Sequence, residues 1–219
     1  MRSVRIGHLD LIGALRGPVD EGTLVEQELG AFHPHTVILD LSPEELKGLQ
    51  EYFAPEDSEP LVPLSTTEIG LARALSEFSD VRMPSPAFVA AVRWSTREGS
   101  QVLPLDENDE TYADLFVKHV GYVDLVRRTR AERALVKGKY PRAANAEDTT
   151  TLWSERMHRS KGSRKLWHER CEIAARRLKD ITSGSEAPPF AAVIDFERWA
   201  EVRTLLEGPP VTPVRRALF

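Results

Sequence analysis

Cysteine is almost missing from this chain: its 219 residues include only Cys171. One thiol closes no disulfide within the chain and builds no cysteine-rich zinc site. So low a count suits a reducing compartment, and the cytoplasm is the expected location. Long apolar runs are missing as well. No stretch approaches the roughly 18 residues a membrane span needs, and His8 and Asp10 interrupt any signal-peptide core near the start. Positive charge is not in excess. The 29 Lys and Arg residues against 34 Asp and Glu leave a net charge of −5, which gives no overall attraction to nucleic acid or an anionic membrane. No Walker loop, Gly-x-Gly-x-x-Gly, Gly-x-Ser-x-Gly or His-Glu-x-x-His occurs. The common nucleotide, serine-hydrolase and zinc-protease readings therefore have no support.

What is present reads as an α/β chain. A hydrophobic fraction of 41% beside 29% charged residues is ordinary for a globular core of this length. Val4 to Ile6 reads as part of an opening strand, and Val19 to Leu29 carries helical spacing up to a break at His33-Pro34-His35. Thr36 to Leu41 is β-branched, apolar and short, which suits a parallel strand covered on both faces. Ser42-Pro43-Glu44-Glu45 is a helix start with a capping serine, a first-turn proline and a glutamate placed to close a capping box. Residues 54–63 read as an acidic, proline-bearing loop. Helices are expected over Thr66 to Phe78 and Phe88 to Thr96, a strand at Gln101 to Asp106, and a closing strand at Phe190 to Ile194 with a helix from Phe196 to Leu206.

This alternation predicts a central, mostly parallel sheet flanked by helices. Residues 107–182 are mainly helical and lack strand signals, so they read as a helical insertion before the last strand. The expected organisation is one α/β domain over residues 1–208 and a C-terminal tail over 209–219.

Several side chains carry candidate chemistry. In a parallel sheet, ligands gather at the carboxyl ends of the strands. His8 and Asp10 follow the opening strand, Asp40 ends the second and Asp106 the third. A histidine and carboxylates on one rim serve either as metal ligands or as acid and base; each taken singly is more often a turn residue or a helix cap. His33 and His35 precede their strand and belong to the opposite edge. Glu155 and His158 form a Glu-x-x-His on one helical face, without the second copy a di-metal site needs. Arg156, Arg159, Lys161, Arg164, Lys165, Arg170, Arg176 and Arg177 concentrate positive charge on an acidic chain. Such a run is usually a solvated helix face, and otherwise holds an anion.

The order of the segments resembles the TraB/PrgY proteins, of the wider group that includes the erythromycin-esterase-like, ChaN-like and Tiki proteins. Val4-Arg5-Ile6-Gly7-His8 is similar to the family's opening strand and Gly/His motif. Pro34 to Leu41 with Glu44 to Leu49 is similar to its second strand and following helix, and Gly99 to Asp106 to a later strand ending in aspartate. Glu155-Arg156-Met157 is similar to its arginine element, and Phe190 to Phe196 sits at its closing strand. Gly7 and His8 are adjacent rather than spaced, Asp40 replaces a glutamate, and Asp195 and Glu197 stand near the place of a second Gly/His motif.

The resemblance implies a metal-dependent hydrolase. His8, Asp40 and Asp195 would hold a divalent ion such as Mn or Mg, which lowers the pKa of a bound water. Arg156 would stabilise developing negative charge, with Glu155 beside it as a further catalytic candidate. The alternative is a non-catalytic member with a lost active site that binds a small molecule, a peptide or a protein, as a homodimer in one version. Neither nucleic acid nor membrane is an expected partner.

Overall fold

The computed structural model describes residues 2–51, 65–139, 143–183 and 188–208. The predicted acidic loop over 54–63 and the tail over 209–219 lie outside the described residues. Within them the chain is an α/β fold, with a five-stranded mixed sheet in the order β1-β2-β5-β3-β4.

The chain opens with a hairpin rather than a single strand. β1 (Ser3–Ile6) runs antiparallel to β2 (Leu9–Ala14). The turn between them is Gly7-His8, with Gly7 at φ 61°, at the first central position, where a type II′ turn calls for glycine. Asp10 looked like an interruption of apolar sequence, yet every residue of β2 is buried. The charge is tolerated because Arg5, its cross-strand partner, donates Nε to one Asp10 oxygen at 2.7 Å and Nη2 to the other at 2.8 Å.

The remaining strands are parallel to β2: β3 (Thr36–Leu39), β4 (Gln101–Pro104) and β5 (Phe190–Asp195). β5 lies between β2 and β3, so the last strand in sequence is the central one in space. β3 is fully buried and β5 nearly so, as parallel strands covered on both faces should be. Alternate residues feed the two layers. Val37, Leu39, Ala191 and Val193 pack with α1 (Asp20–Phe32) and α4 (Pro86–Glu98). Ile38, Ala192 and Ile194 pack with α8 (Lys161–Thr182) and α9 (Phe196–Glu207).

α2 (Pro43–Glu51) begins as expected. Glu45 N–H donates to Ser42 Oγ at 3.1 Å, and Ser42 N–H donates to Glu45 Oε2 at 2.8 Å, the reciprocal pair of a capping box. α1 ends at His33, whose left-handed φ of 47° turns the chain toward β3.

The helical insertion before β5 is present. It comprises α5 (Asp109–His119), α6 (Tyr122–Val136), α7 (Ala146–Met157) and α8. With α3 (Thr66–Leu75), helices α6 and α7 build a satellite core around Leu75, Leu135 and Trp153. No described helix is long and apolar enough to cross a membrane.

One contact fixes how α9 seats on the sheet. A methyl group on Gly13 of β2 would lie 2.7 Å from Trp199 Cγ, closer than packed carbon atoms come. Gly13→Ala is expected to lower stability by about 1–3 kcal/mol by overpacking. Thermal melting checks this, and an unchanged midpoint would show that Trp199 moves aside freely.

Candidate functional site

Four parallel strands end on one rim, and each delivers a charged residue just past or at its last position. β3 delivers Asp40, β5 Asp195, β4 Asp106 after Leu105, and β2 Arg16 after Leu15. Strand ends of this kind form the ligand crevice of parallel α/β sheets. Arg198, in the first turn of α9, joins them.

The groups are tightly cross-linked. Arg198 Nη1 donates to Asp40 Oδ1 at 2.6 Å and stands 3.2 Å from Asp106 Oδ1. Arg198 Nη2 donates to the Arg170 carbonyl at 2.8 Å, and the Arg170 guanidinium pairs with Asp106 Oδ2. Asp195 N–H donates to Asp40 Oδ2 at 3.1 Å, while Arg16 Nε pairs with Asp195 Oδ2 at 2.5 Å. Asp40 is 1% exposed and Arg198 6%, so each charge depends on the other.

Burial, helped by Asp106 and Asp195, pushes the Asp40 carboxyl above its ordinary value against the pull of Arg198 and Arg16. Burial also works against the charge on Asp106, but Arg198 and Arg170 outweigh it and hold that carboxyl below the usual range.

Above this network lies a cavity of about 650 Å³. The strand ends form its floor. Glu68 of α3, Tyr112 of α5, Arg128 of α6, His158 after α7 and Trp167 of α8 bring the helical layer over it. The Arg170 guanidinium sits 5.0 Å from the centre of the Tyr112 ring, a cation–π contact. Buried polar atoms without a protein partner among the described residues gather here: Glu107 Oε1, Trp167 Nε1 and Arg170 Nε all belong to residues lining the cavity. Buried polar groups are nearly always satisfied, and these three leave hydrogen-bonding capacity unused by the described residues.

Glu197 also lines this cavity. Asp195 caps α9 by accepting the Glu197 N–H at 3.2 Å, which ties the two residues together. Burial first, and the Asp195 charge second, push the Glu197 carboxyl up to about 8, against Arg16 and a hydrogen bond with Ser154. At neutral pH it therefore carries a proton.

His158 is shifted in the other sense. Burial, then the Arg128 and Arg170 charges, lower it to about 4. The unfolded value is near 6.5, so the fold favours the neutral ring, and its contribution to stability is lost as pH falls from 6.5 through 4. His158 is expected to stay neutral to about pH 4 when followed by NMR of its ring protons. Titration near 6.5 would mean the ring is open to water.

The sequence candidates separate into groups. Asp40, Asp106 and Asp195 meet on the rim as parallel strand ends should. His8 does not join them. It lies in the β1–β2 turn at the amino end of β2, where its carbonyl accepts the Phe190 N–H that starts β5. Asp195 ends β5, five residues and about 16 Å of strand away. The reason is the unrecognised hairpin: a residue just past β1 is just before β2. Asp10 is closed by Arg5, and His33 and His35 lie at the amino edge of β3.

Glu155 and Arg156 are exposed. They line a neighbouring cavity of about 800 Å³ that shares Glu197, His158 and Trp167 with the first. They reach the edge of the site rather than its floor.

The residues do not fit the metal set. Among the described residues, no group of three or more His, Cys, Asp or Glu is placed to hold an ion. Asp40 and Asp195 are each already closed by an arginine and a backbone N–H. An ion would have to displace guanidinium groups that neutralise buried charge.

Arg16, Arg198 and the importance of Glu197 escaped sequence reasoning. Arg16 follows a strand that was not recognised. Arg198 had a signal: an arginine in the first helical turn is unfavourable to the helix dipole, which points to a specific partner. Comparison of the chain with protein-family models and with curated proteins finds no match.

Proposed function

We propose that this chain is a hydrolase of the TraB/PrgY-like type, acting on an ester or amide in the rim cavity, with Glu197 as the proton-transfer residue and Asp195 as the residue that positions it. The observation that supports this is the pair itself. Glu197 donates its backbone N–H to the capping Asp195, and both residues line the polar cavity at the strand ends. A carboxyl group pushed up by burial to about 8 is suited to the role of acid at neutral pH.

Water attacks the carbonyl carbon and the bond to the leaving group breaks. Glu197 gives its proton to the leaving group and regains one from the attacking water. Arg170 Nε, buried and without a protein partner among the described residues, is a donor available to the oxygen that gains charge. The segment order of the chain resembles that family, and Asp195 and Glu197 stand near the place of its second Gly/His motif. No step runs through a metal ion.

A second reading, ligand binding without turnover, is favoured by one observation: Asp40 and Asp106 are already neutralised by Arg198 and Arg170, as in a structural network. A panel of p-nitrophenyl esters and aminoacyl p-nitroanilides separates the two. Turnover by the wild type that is lost in Glu197→Gln supports the hydrolase. Turnover unchanged in the variant overturns the role of Glu197. Absence of turnover across the panel, with a ligand-induced rise in melting temperature, supports the second reading.

A further inference from the structure

An adjoining pocket, which shares Arg128 and Met157 with the rim cavity, lies between α6 and the end of α7. Among the described residues five arginines line it: Arg127, Arg128 and Arg130 from α6, Arg156 from the last turn of α7, and Arg159 just after it. Arg128 is paired with Glu132 at 3.1 Å. The other four are exposed and have no ion-pair partner among the described residues.

Like charges brought this close repel, and on a chain of net charge −5 carboxylates were abundant enough to neutralise them. Ser160 also lines the pocket, and it is the N-cap of the 22-residue α8. The partial positive charge of that helix end adds to the field of the guanidinium groups.

We propose that this pocket is a binding site for a compact, multiply charged phosphate anion. Guanidinium forks match phosphate oxygens in pairs. The pocket volume of about 490 Å³ falls within the range of small-molecule sites, roughly 300–1,000 Å³. A single-stranded nucleic acid is a poorer fit, because such sites stack bases on aromatic rings along an extended groove, and no aromatic side chain lines this pocket among the described residues. The phosphate chain of a nucleoside triphosphate and free inorganic polyphosphate share the required chemistry. The site stands independently of the hydrolase reading, since neither Glu197 nor Asp195 lines it.

Isothermal titration of the full chain with sodium tripolyphosphate, with ATP and with a 20-nucleotide single strand, at low and moderate salt, tests this. Tripolyphosphate is expected to bind one to one. Its affinity should fall as salt rises, and fall at least about tenfold in Arg130→Ala/Arg159→Ala, since each lost charged hydrogen bond is of that size. Arg127→Ala/Arg156→Ala provides a second, non-overlapping pair, and thermal melting confirms that each variant is folded. Glu197→Gln should bind tripolyphosphate as the wild type does. ATP binding as tightly as tripolyphosphate assigns the site to a nucleotide's phosphate chain; ATP binding much more weakly assigns it to inorganic polyphosphate. No saturable binding at millimolar tripolyphosphate, binding undiminished in both folded double variants, or tighter binding of the oligonucleotide than of either phosphate overturns the proposal.

Discussion

Glu197→Gln is expected to lower hydrolysis about 10²- to 10⁴-fold, the usual worth of a positioned proton donor, while the protein stays folded. Glutamine keeps the shape of the side chain and cannot transfer a proton. The wild-type rate should fall as pH rises through about 8, because the acid form of Glu197 is the working one. In the variant that limb should vanish from whatever rate remains.

Stability gives an independent readout. The carboxyl lies near 4.5 when free and near 8 in the fold, so the folded state binds the extra proton between those values. Its contribution is fully present below pH 4.5 and is lost as pH rises through 8. The variant is neutral at every pH and should melt above the wild type at pH 9. If it instead melts below the wild type at pH 9 as much as at pH 6, Glu197 is ionised and paired in the fold, and the acid assignment fails.

Arg198→Ala should be the most destabilising substitution of a rim residue. It leaves Asp40 buried at 1% exposure without its guanidinium, and leaves Asp106 with Arg170 alone. Breaking one side of a buried ion pair costs about 3–5 kcal/mol. For a chain of this size, that is a drop in melting temperature on the order of 6–20 °C. Asp40→Asn/Arg198→Leu should lose less than Arg198→Ala alone, because no charge is stranded on Asp40 while an amide oxygen can still accept the Asp195 N–H. A single variant that melts within about 2 °C of the wild type, too small a shift for a stranded buried charge, would mean that water reaches Asp40 and screens it.

Much of the scaffold was legible because local chemistry and tertiary packing agree. Thr36 to Leu39 is apolar and β-branched, and it is a strand buried on both faces. The Ser42–Glu45 capping box forms as its spacing predicts. The opening hairpin was not legible, because Asp10 breaks the apolar pattern of β2 and its neutralising partner, Arg5, stands on the other strand. That one omission carried His8 to the wrong end of the sheet.

Taken alone, the amino-acid sequence determined the α/β class, the order of strands and helices after the hairpin, and the presence of aspartates at three strand ends. Those features depend on short-range patterns of side-chain polarity and on rules that hold for any parallel sheet. Only the tertiary structure decided which charges meet. β5, late in sequence, is inserted between β2 and β3, so Asp40 and Arg198 touch across 158 positions of chain. Arg170 reaches Asp106 from a different helix, and four arginines, from α6, from α7 and from just after α7, line one pocket without a counter-charge among the described residues. Side-chain pairing over such separations is set by where whole elements pack, and no local spacing in the sequence encodes it.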